Sequence, residues 1–327
     1  MCTALSLTTD SHYFGRTLDL ERALGESVVI APRRFPLPFR FMPHAGTHLS
    51  FIGMAAVRDG FPLYYDAVNE SGLCAAALNF PGFACYAPTA AEKPRQIRLA
   101  SFEVIPFVLS RCASVSQARA LLERAVVCSE AFSCDLPPTP LHWMFGDGRE
   151  TLVVEPLEGG LRLHDNPAGV LTNSPPFEEQ MRRLGDYAAL SPAAPPNTLA
   201  PQLRLPPVSR GTGTFILPGG MDSPSRFVRA AYLRAHSVCP GGEEASVSQF
   251  FHILDAVSVV RGSVRTEGEN EITQYACCMS AQRGVYCFTT YENRRITAID
   301  MHREDLSADA PIIYPLIAGP QILMGNG

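Results

Sequence analysis

Residues 1–21 read MCTALSLTTDSHYFGRTLDLE, and how the two halves of this stretch pair decides the fold. Ala4, Leu5 and Leu7 follow a strand pattern, TDS at 9–11 is a turn signal, and HYFGRTLDL resumes the alternation. The stretch therefore predicts a β-hairpin. With the turn near Asp10, antiparallel pairing returns the segment from Arg16 to Asp19 to the side of Cys2. Most cysteines are small buried hydrophobes, but this one stands directly behind Met1, where a small second residue favours removal of the methionine. Cys2 would then carry a thiol and a free α-amine. The ordinary pKa of an α-amine is about 7.7–8.0, so it can take the thiol proton near neutrality. Nucleophile and base would share one residue, their proximity supplied covalently. A guanidinium from Arg16 would favour the thiolate, and the Asp19 carboxylate would orient the amine. The ordinary alternative is a surface ion pair worth little; the hairpin register favours the functional reading.

Working outward, ESVVIAPRR, HLSFIGMAAV, PLYYDAVN and GLCAAALNF add strand patterns between Gly, Pro and Asn, so the first third is mostly sheet. From Ser101 the period turns helical in SFEVIPFVLSRC and SVSQARALLERAVV, the latter opened by a Ser114–Gln117 capping box. LHWMFGD, ETLVVEPL, GLRLHD and GVLTN read as strands, and FEEQMRRLGDYAAL as a helix. The Pro-rich run SPAAPPNTLAPQLRLPP has a linker's composition and is expected to be a surface excursion, because the flanking patterns continue one another. Ser223 as N-cap with Pro224 behind it starts a further helix, and Ser246–Gln249 caps the next. ITQYACCMS, GVYCFTTY and RRITAIDM close the chain as strands. Strands, helices and strands again imply sheets inside and helices outside.

The 327 residues are 46% hydrophobic, enough to bury a large core, and a single domain over 1–327 is expected. A net charge of −5 gives no basic footprint for phosphate backbones or anionic lipid heads, so nucleic acid is not an expected partner. Ten cysteines without CxxC spacing disfavour a metal centre. Adjacent Cys277 and Cys278 point to opposite faces of a strand and read as core. His12, His44, His48, His142, His164, His236, His252 and His302 show no ligand spacing and read as surface or packed residues. GTGTFILPGG lacks the order of a phosphate loop. No basic stretch followed by an apolar leader opens the chain, and no apolar run nears the ~18 residues of a spanning helix. A cytoplasmic protein with reduced thiols and no membrane partner is expected.

MCTALSL, HYFGRTLD, PLYYDAVNESGLCAAALNFPG, TPLHWMFGD, GVLTNSPPFEEQ, LPGGMDSPSRFVRAAY and SVSQFFHILDAV together resemble the choloylglycine hydrolase family, which includes bile salt hydrolases and penicillin V acylases. The likeness runs in one order over nearly the whole chain. It implies an α+β N-terminal nucleophile hydrolase fold, four layers αββα with two antiparallel sheets face to face, and a homotetramer. It makes Cys2 the nucleophile with its own α-amine as base, surrounded by Arg16, Asp19 and Arg226. The Asn173 side-chain amide and the Asn79 backbone N–H would receive the oxyanion. Two neutral donors so aimed could each lower a barrier by about 2.7–4 kcal/mol; otherwise both are asparagines of turn-prone segments. The chain departs from many relatives at Thr17, Ala77 and Gly219–Gly220, which touches substrate fit and loop shape.

The resemblance implies hydrolysis of glycine- or taurine-conjugated bile acids without a cofactor, the steroid lying against Leu20, Phe61, Phe132, Leu136 and Leu141. Each of these could equally be ordinary core. Penicillin V acylase, acyl-homoserine lactone acylase, acyl transfer to another amine, and a non-catalytic sterol-acid binder are the alternatives.

Overall fold

The computed structural model describes residues 1–43, 46–89 and 96–326, so His44 lies outside the described residues. Elements are numbered in chain order. Among the described residues a six-stranded antiparallel sheet runs β12 (Val170–Leu171), β1 (Cys2–Thr8), β2 (His12–Leu20), β15 (Ile272–Ser280), β16 (Val285–Thr290) and β17 (Thr297–Asp300). An eight-stranded one runs β11 (Gly160–Asp165), β10 (Thr151–Leu157), β9 (Leu141–Gly146), β6 (Cys74–Asn79), β5 (Phe61–Asn69), β4 (Phe51–Arg58), β3 (Glu26–Ala31) and β18 (Ile312–Pro315). Two small pairs complete the set: parallel β7 (Ile97–Ala100) with β8 (Ala125–Cys128), and antiparallel β13 (Arg265–Thr266) with β14 (Glu269–Asn270).

The opening hairpin forms in the expected register: Cys2 faces Leu18, Thr3 faces Thr17 and Ala4 faces Arg16. Its second strand is central, because β15 pairs along its other edge and sets Cys277 opposite Arg16. Gly15 makes this approach possible. A Cβ there would collide with the Cys277 carbonyl, so only hydrogen fits at that crossing.

The sheets meet face to face, β1 and β2 against β6. Leu5, Leu7 and Phe14 from one sheet share an apolar cluster with Ile30, Met54 and Leu78 from the other. α1 (Val104–Leu109) packs on β5 and β6, and α2 (Val115–Leu122) on β10, covering the larger sheet. α4 (Ser223–His236) lies on β1 and β12, and α5 (Glu243–Asp255) on β15 and β2, with α3 (Phe177–Leu184) against α4. The order is helix, sheet, sheet, helix, the four-layer α+β architecture expected from the sequence.

The helix starts differ in detail. Ser114 accepts from the Gln117 N–H at 3.3 Å as expected, but the Gln117 side chain turns to the Ala113 N–H, and the end of that run, 125–127, lies in strand β8. The cap of α4 is Asp222, whose carboxylate accepts from the Ser225 N–H at 3.0 Å and leaves Ser223 as the first helical residue. α5 begins at Glu243, three residues before the expected Ser246 cap. Asp10 of the hairpin turn accepts the Gly242 N–H at 2.8 Å and anchors that entry. Glu243 and Glu244 then suit the positive end of the helix dipole. Ser246 instead faces Thr9 Oγ1 at 2.8 Å, and Gln249 donates to Ser237. The Pro-rich run 191–207 joins α3 to α4 as mostly exposed chain. No helix among the described residues is long and apolar enough to cross a membrane.

Candidate active site

Cys2 sits at the open end of the hairpin, between the sheets. Met1 continues the ladder beyond it: the Met1 ammonium donates to the Asp19 carbonyl at 2.7 Å and pairs with the buried Glu271 carboxylate, while the Asp19 N–H donates to the Met1 carbonyl at 3.0 Å. The Cys2 N–H donates to Asn173 Oδ1 at 2.8 Å. Arg226, brought in by the first turn of α4, donates to the same Oδ1 at 2.8 Å, to the Cys2 carbonyl at 2.5 Å and to Thr3 Oγ1 at 2.7 Å. Two donors converging on Oδ1 fix the amide orientation, and Asn173 Nδ2 reaches the Asn79 carbonyl at 2.7 Å. One N–H of that amide remains available.

Asn79 ends β6, where β5 no longer covers its edge, since the β5–β6 pairing stops at Ala76. On the other edge the Phe80 N–H donates to the Pro140 carbonyl at 2.8 Å, and Asn79 pairs with Leu141. Antiparallel ladders alternate. The Asn79 N–H and carbonyl therefore point away from β9, toward the uncovered edge and Asn173.

Arg16 is fully buried. Its Nη1 donates to the Ala77 carbonyl at 2.5 Å, its Nε to the Thr17 carbonyl at 3.1 Å, and Nη2 has no hydrogen-bond partner. Burial works against its charge, but negative charge at Cys2, Tyr275 and Asp66 outweighs burial and holds its pKa above the ordinary value. Asp66 is the reciprocal group: burial raises its carboxyl pKa, opposed by Arg16 and by the hydroxyls of Tyr275 at 2.5 Å and Tyr286 at 2.6 Å. The Asp19 carboxylate accepts from Thr273 Oγ1 at 2.6 Å and Thr17 Oγ1 at 3.1 Å. Burial lowers the Arg226 pKa, with Asp19 and Cys2 opposing. Arg16, Asp19, Arg226, Asn79 and Asn173, the residues named above, lie together around Cys2. Glu271 and Asp66 join them unannounced.

A cavity of about 280 Å³ opens onto Cys2, Arg16 and Asn79. Of the residues named for the steroid, Leu20, Phe132, Leu136 and Leu141 line it. Phe61 does not. Its ring stands behind the wall, against Phe102 and Phe132 at 6.0 Å from each, and those two rings take the cavity surface. Leu18, Ala56, Leu63, Tyr65 and Phe102 also line it. The i, i+2 spacing of Leu18 with Leu20 and of Leu63 with Tyr65, on strands flanking the site, is the signal that would have found them.

Two face-to-face antiparallel sheets under helices, with the second residue's sulfur between them beside a cavity, define an N-terminal nucleophile hydrolase fold. The profile of the linear amide C–N hydrolases, choloylglycine hydrolase family, matches residues 2–314, and the chain belongs to that family of amide hydrolases. It is 41% identical to a bile salt hydrolase/transferase of Lactiplantibacillus plantarum over 327 residues, 100% of both chains. It is 36% identical to a bile salt hydrolase/transferase of Clostridium perfringens over 314 residues, 94% of this chain and 95% of that one. The crystal structure of the mutant C2A conjugated bile acid hydrolase from C. perfringens superposes with a TM-score of 0.92 at 33% identity, over 100% of both chains. Penicillin V acylase from Agrobacterium tumefaciens shares the fold, with a TM-score of 0.75 at 20% identity, over 96% of this chain and 90% of that one.

Proposed function

We propose that this protein hydrolyses the amide bond of glycine- or taurine-conjugated bile acids in the form that has lost Met1. The observation that carries the reading is the mostly apolar cavity that ends at Cys2, alongside relatives named for conjugated bile acids over the whole chain. A steroid buried there gains about 25 cal/mol per Å² of apolar area, and its side chain brings the scissile carbonyl to the sulfur. Loss of Met1 frees the Cys2 nitrogen, and the Asn173 Oδ1 that now accepts its N–H orients the amine. The amine takes the thiol proton. The thiolate, favoured by Arg16, adds to the carbonyl carbon, and the oxygen becomes an oxyanion held by the second Asn173 N–H and the Asn79 N–H. The carbon–nitrogen bond breaks, the ammonium hands its proton to the departing amine, and a thioester remains. Water then adds to the thioester carbonyl, its proton passing to the same amine; the carbon–sulfur bond breaks, the free bile acid leaves, and the proton returns to the sulfur. Arg226 holds Asn173 and the Cys2 carbonyl in place, and Asp19, held by Thr17 and Thr273, sets the charge balance around that guanidinium.

Matched rates for glycocholate, taurocholate and penicillin V test the substrate: cleavage of the bile acid conjugates is expected to dominate, and preference for the phenoxyacetyl amide overturns the choice. Intact mass tests the chemistry, since full activity in a chain that retains Met1 would exclude an α-amine base. Assembly into a homotetramer belongs to the same proposal and is read by light scattering.

A further inference from the structure

His142 is fully buried in β9, outside the set of groups that touch Cys2. Its ring stacks on Phe80 with centroids 4.2 Å apart and planes 6° from parallel. Phe80 follows Asn79. Its Nε2 lies 2.9 Å from the Thr172 carbonyl, and Thr172 precedes Asn173. One imidazole therefore touches the immediate neighbour of each oxyanion donor, one belonging to the larger sheet and the other to the smaller. A carbonyl can only accept, so Nε2 carries the hydrogen. Nδ1 faces Glu155 Oε1 at 3.2 Å, which requires one proton held between ring and carboxyl. The same Oε1 accepts the Phe177 N–H at 2.9 Å, tying the pair to the start of α3. Glu155 is fully buried, and its Oε2 has no hydrogen-bond partner; His164 Nε2 stands 3.8 Å away, with Glu178 beyond it.

Removing one member of a buried hydrogen-bonded pair leaves the other's polar atom unsatisfied, and the further bonds to the Thr172 carbonyl and from the Phe177 N–H fix this pair in place. A ring fixed on both edges and stacked on one face transmits that rigidity to what it touches. We propose that His142 and Glu155 are positioning residues that set the spacing between the Asn79 and Asn173 oxyanion donors. The inference rests on the hydrolytic reading above.

The test is the double variant His142→Phe/Glu155→Leu, which keeps a stacking ring and strands no charge. Cooperative melting establishes that it folds. The expected result is a KM for glycocholate within about twofold of wild type and a kcat lower by about tenfold or more, because donors displaced by a fraction of an ångström fail the transition state rather than the substrate. The aldehyde of cholic acid reads the same geometry. The Cys2 sulfur adds to its carbonyl carbon, the carbon–oxygen π bond opens, and the oxygen sits against the donors or takes the thiol proton. Its affinity is expected to fall by the same factor while cholate binding stays unchanged. A folded double variant with wild-type kcat and aldehyde affinity overturns the inference. If the double variant fails to fold, Phe80→Leu decides, since it removes the ring stacked on His142 and leaves both hydrogen bonds of the imidazole in place: kcat severalfold lower at constant KM supports the proposal, and an unchanged kcat overturns it. Asn173→Ala separates the layers. If it loses aldehyde affinity while the positioning variants do not, only this inference falls; if it does not, the oxyanion assignment falls too.

Discussion

The two ends of the β1–β2 hairpin hold similar ingredients and are built for opposite ends. At the turn end Ser6 Oγ lies 3.0 Å from His12 Nε2, the spacing of a nucleophile and its base. Both are almost fully buried, His12 is wedged against Gly146 and Gly148, and its backbone N–H is held by Gln282. Burial pushes the His12 pKa down to about 4, aided by Arg234 and opposed by Asp147. At the open end Cys2 has no histidine, yet it borders the apolar cavity and a guanidinium with one unpartnered nitrogen. Cys2 is just as buried, so an adjoining cavity and a preorganised polar surround, rather than exposure, mark a reactive centre; a short nucleophile–base distance alone does not.

The sharpest way to break this contrast is Cys2→Ala, for which bile salt hydrolysis is expected to fall by about 10³-fold or more, measured as glycine or taurine released. Residual turnover near wild type would move the nucleophile elsewhere. Asn173→Ala is expected to lower kcat by about 10²–10³-fold, the loss appearing in single-turnover thioester formation. Gly15→Ala would force the hairpin off β15 and destabilise by ~3 kcal/mol, seen in urea unfolding. His12 sharpens the comparison through pH. Its folded pKa lies below its unfolded value, so the unfolded chain binds more protons between about pH 4 and 6.5, and stability present above 6.5 is lost as pH falls toward 4. Wild type is expected to lose ~2 kcal/mol more than His12→Gln on going from pH 7 to 4.5, measured by denaturant melts at each pH. Ser6→Ala completes the series, with kcat within about twofold and a stability cost of ~1 kcal/mol. Loss of activity there would give the turn end a role in catalysis.

What the sequence disclosed follows the range of the interactions. The hairpin register was legible because a period-two pattern on both sides of TDS leaves little freedom, and with it came Cys2, Arg16 and Asp19. Asn79, Asn173 and Arg226 reach Cys2 from β6, the end of β12 and α4, across two sheets, and only the family resemblance assembled them. The capping motif at Ser246 misled for the complementary reason: it is a purely local signal, overridden by Asp10 and Thr9 of the distant hairpin turn. Phe61 was misplaced because a position matched to a family does not tell which of three clustered rings reaches the cavity surface. Glu271, Asp66 and the His142–Glu155 pair carry no motif, and their meaning is set by partners far away in the chain.

Met1 is zipped into the sheet, its amine gripped by Glu271 and the Asp19 carbonyl. An aminopeptidase must draw an extended terminus into its own cleft, which a terminus already laced into a β-ladder cannot offer. If Cys2 works through a free amine, as proposed above, trimming would be a race against closure of the hairpin during synthesis. On the proposed mechanism, a polypeptide that lost the race would be folded but silent, and the specific activity of a preparation would gauge how many chains were trimmed in time.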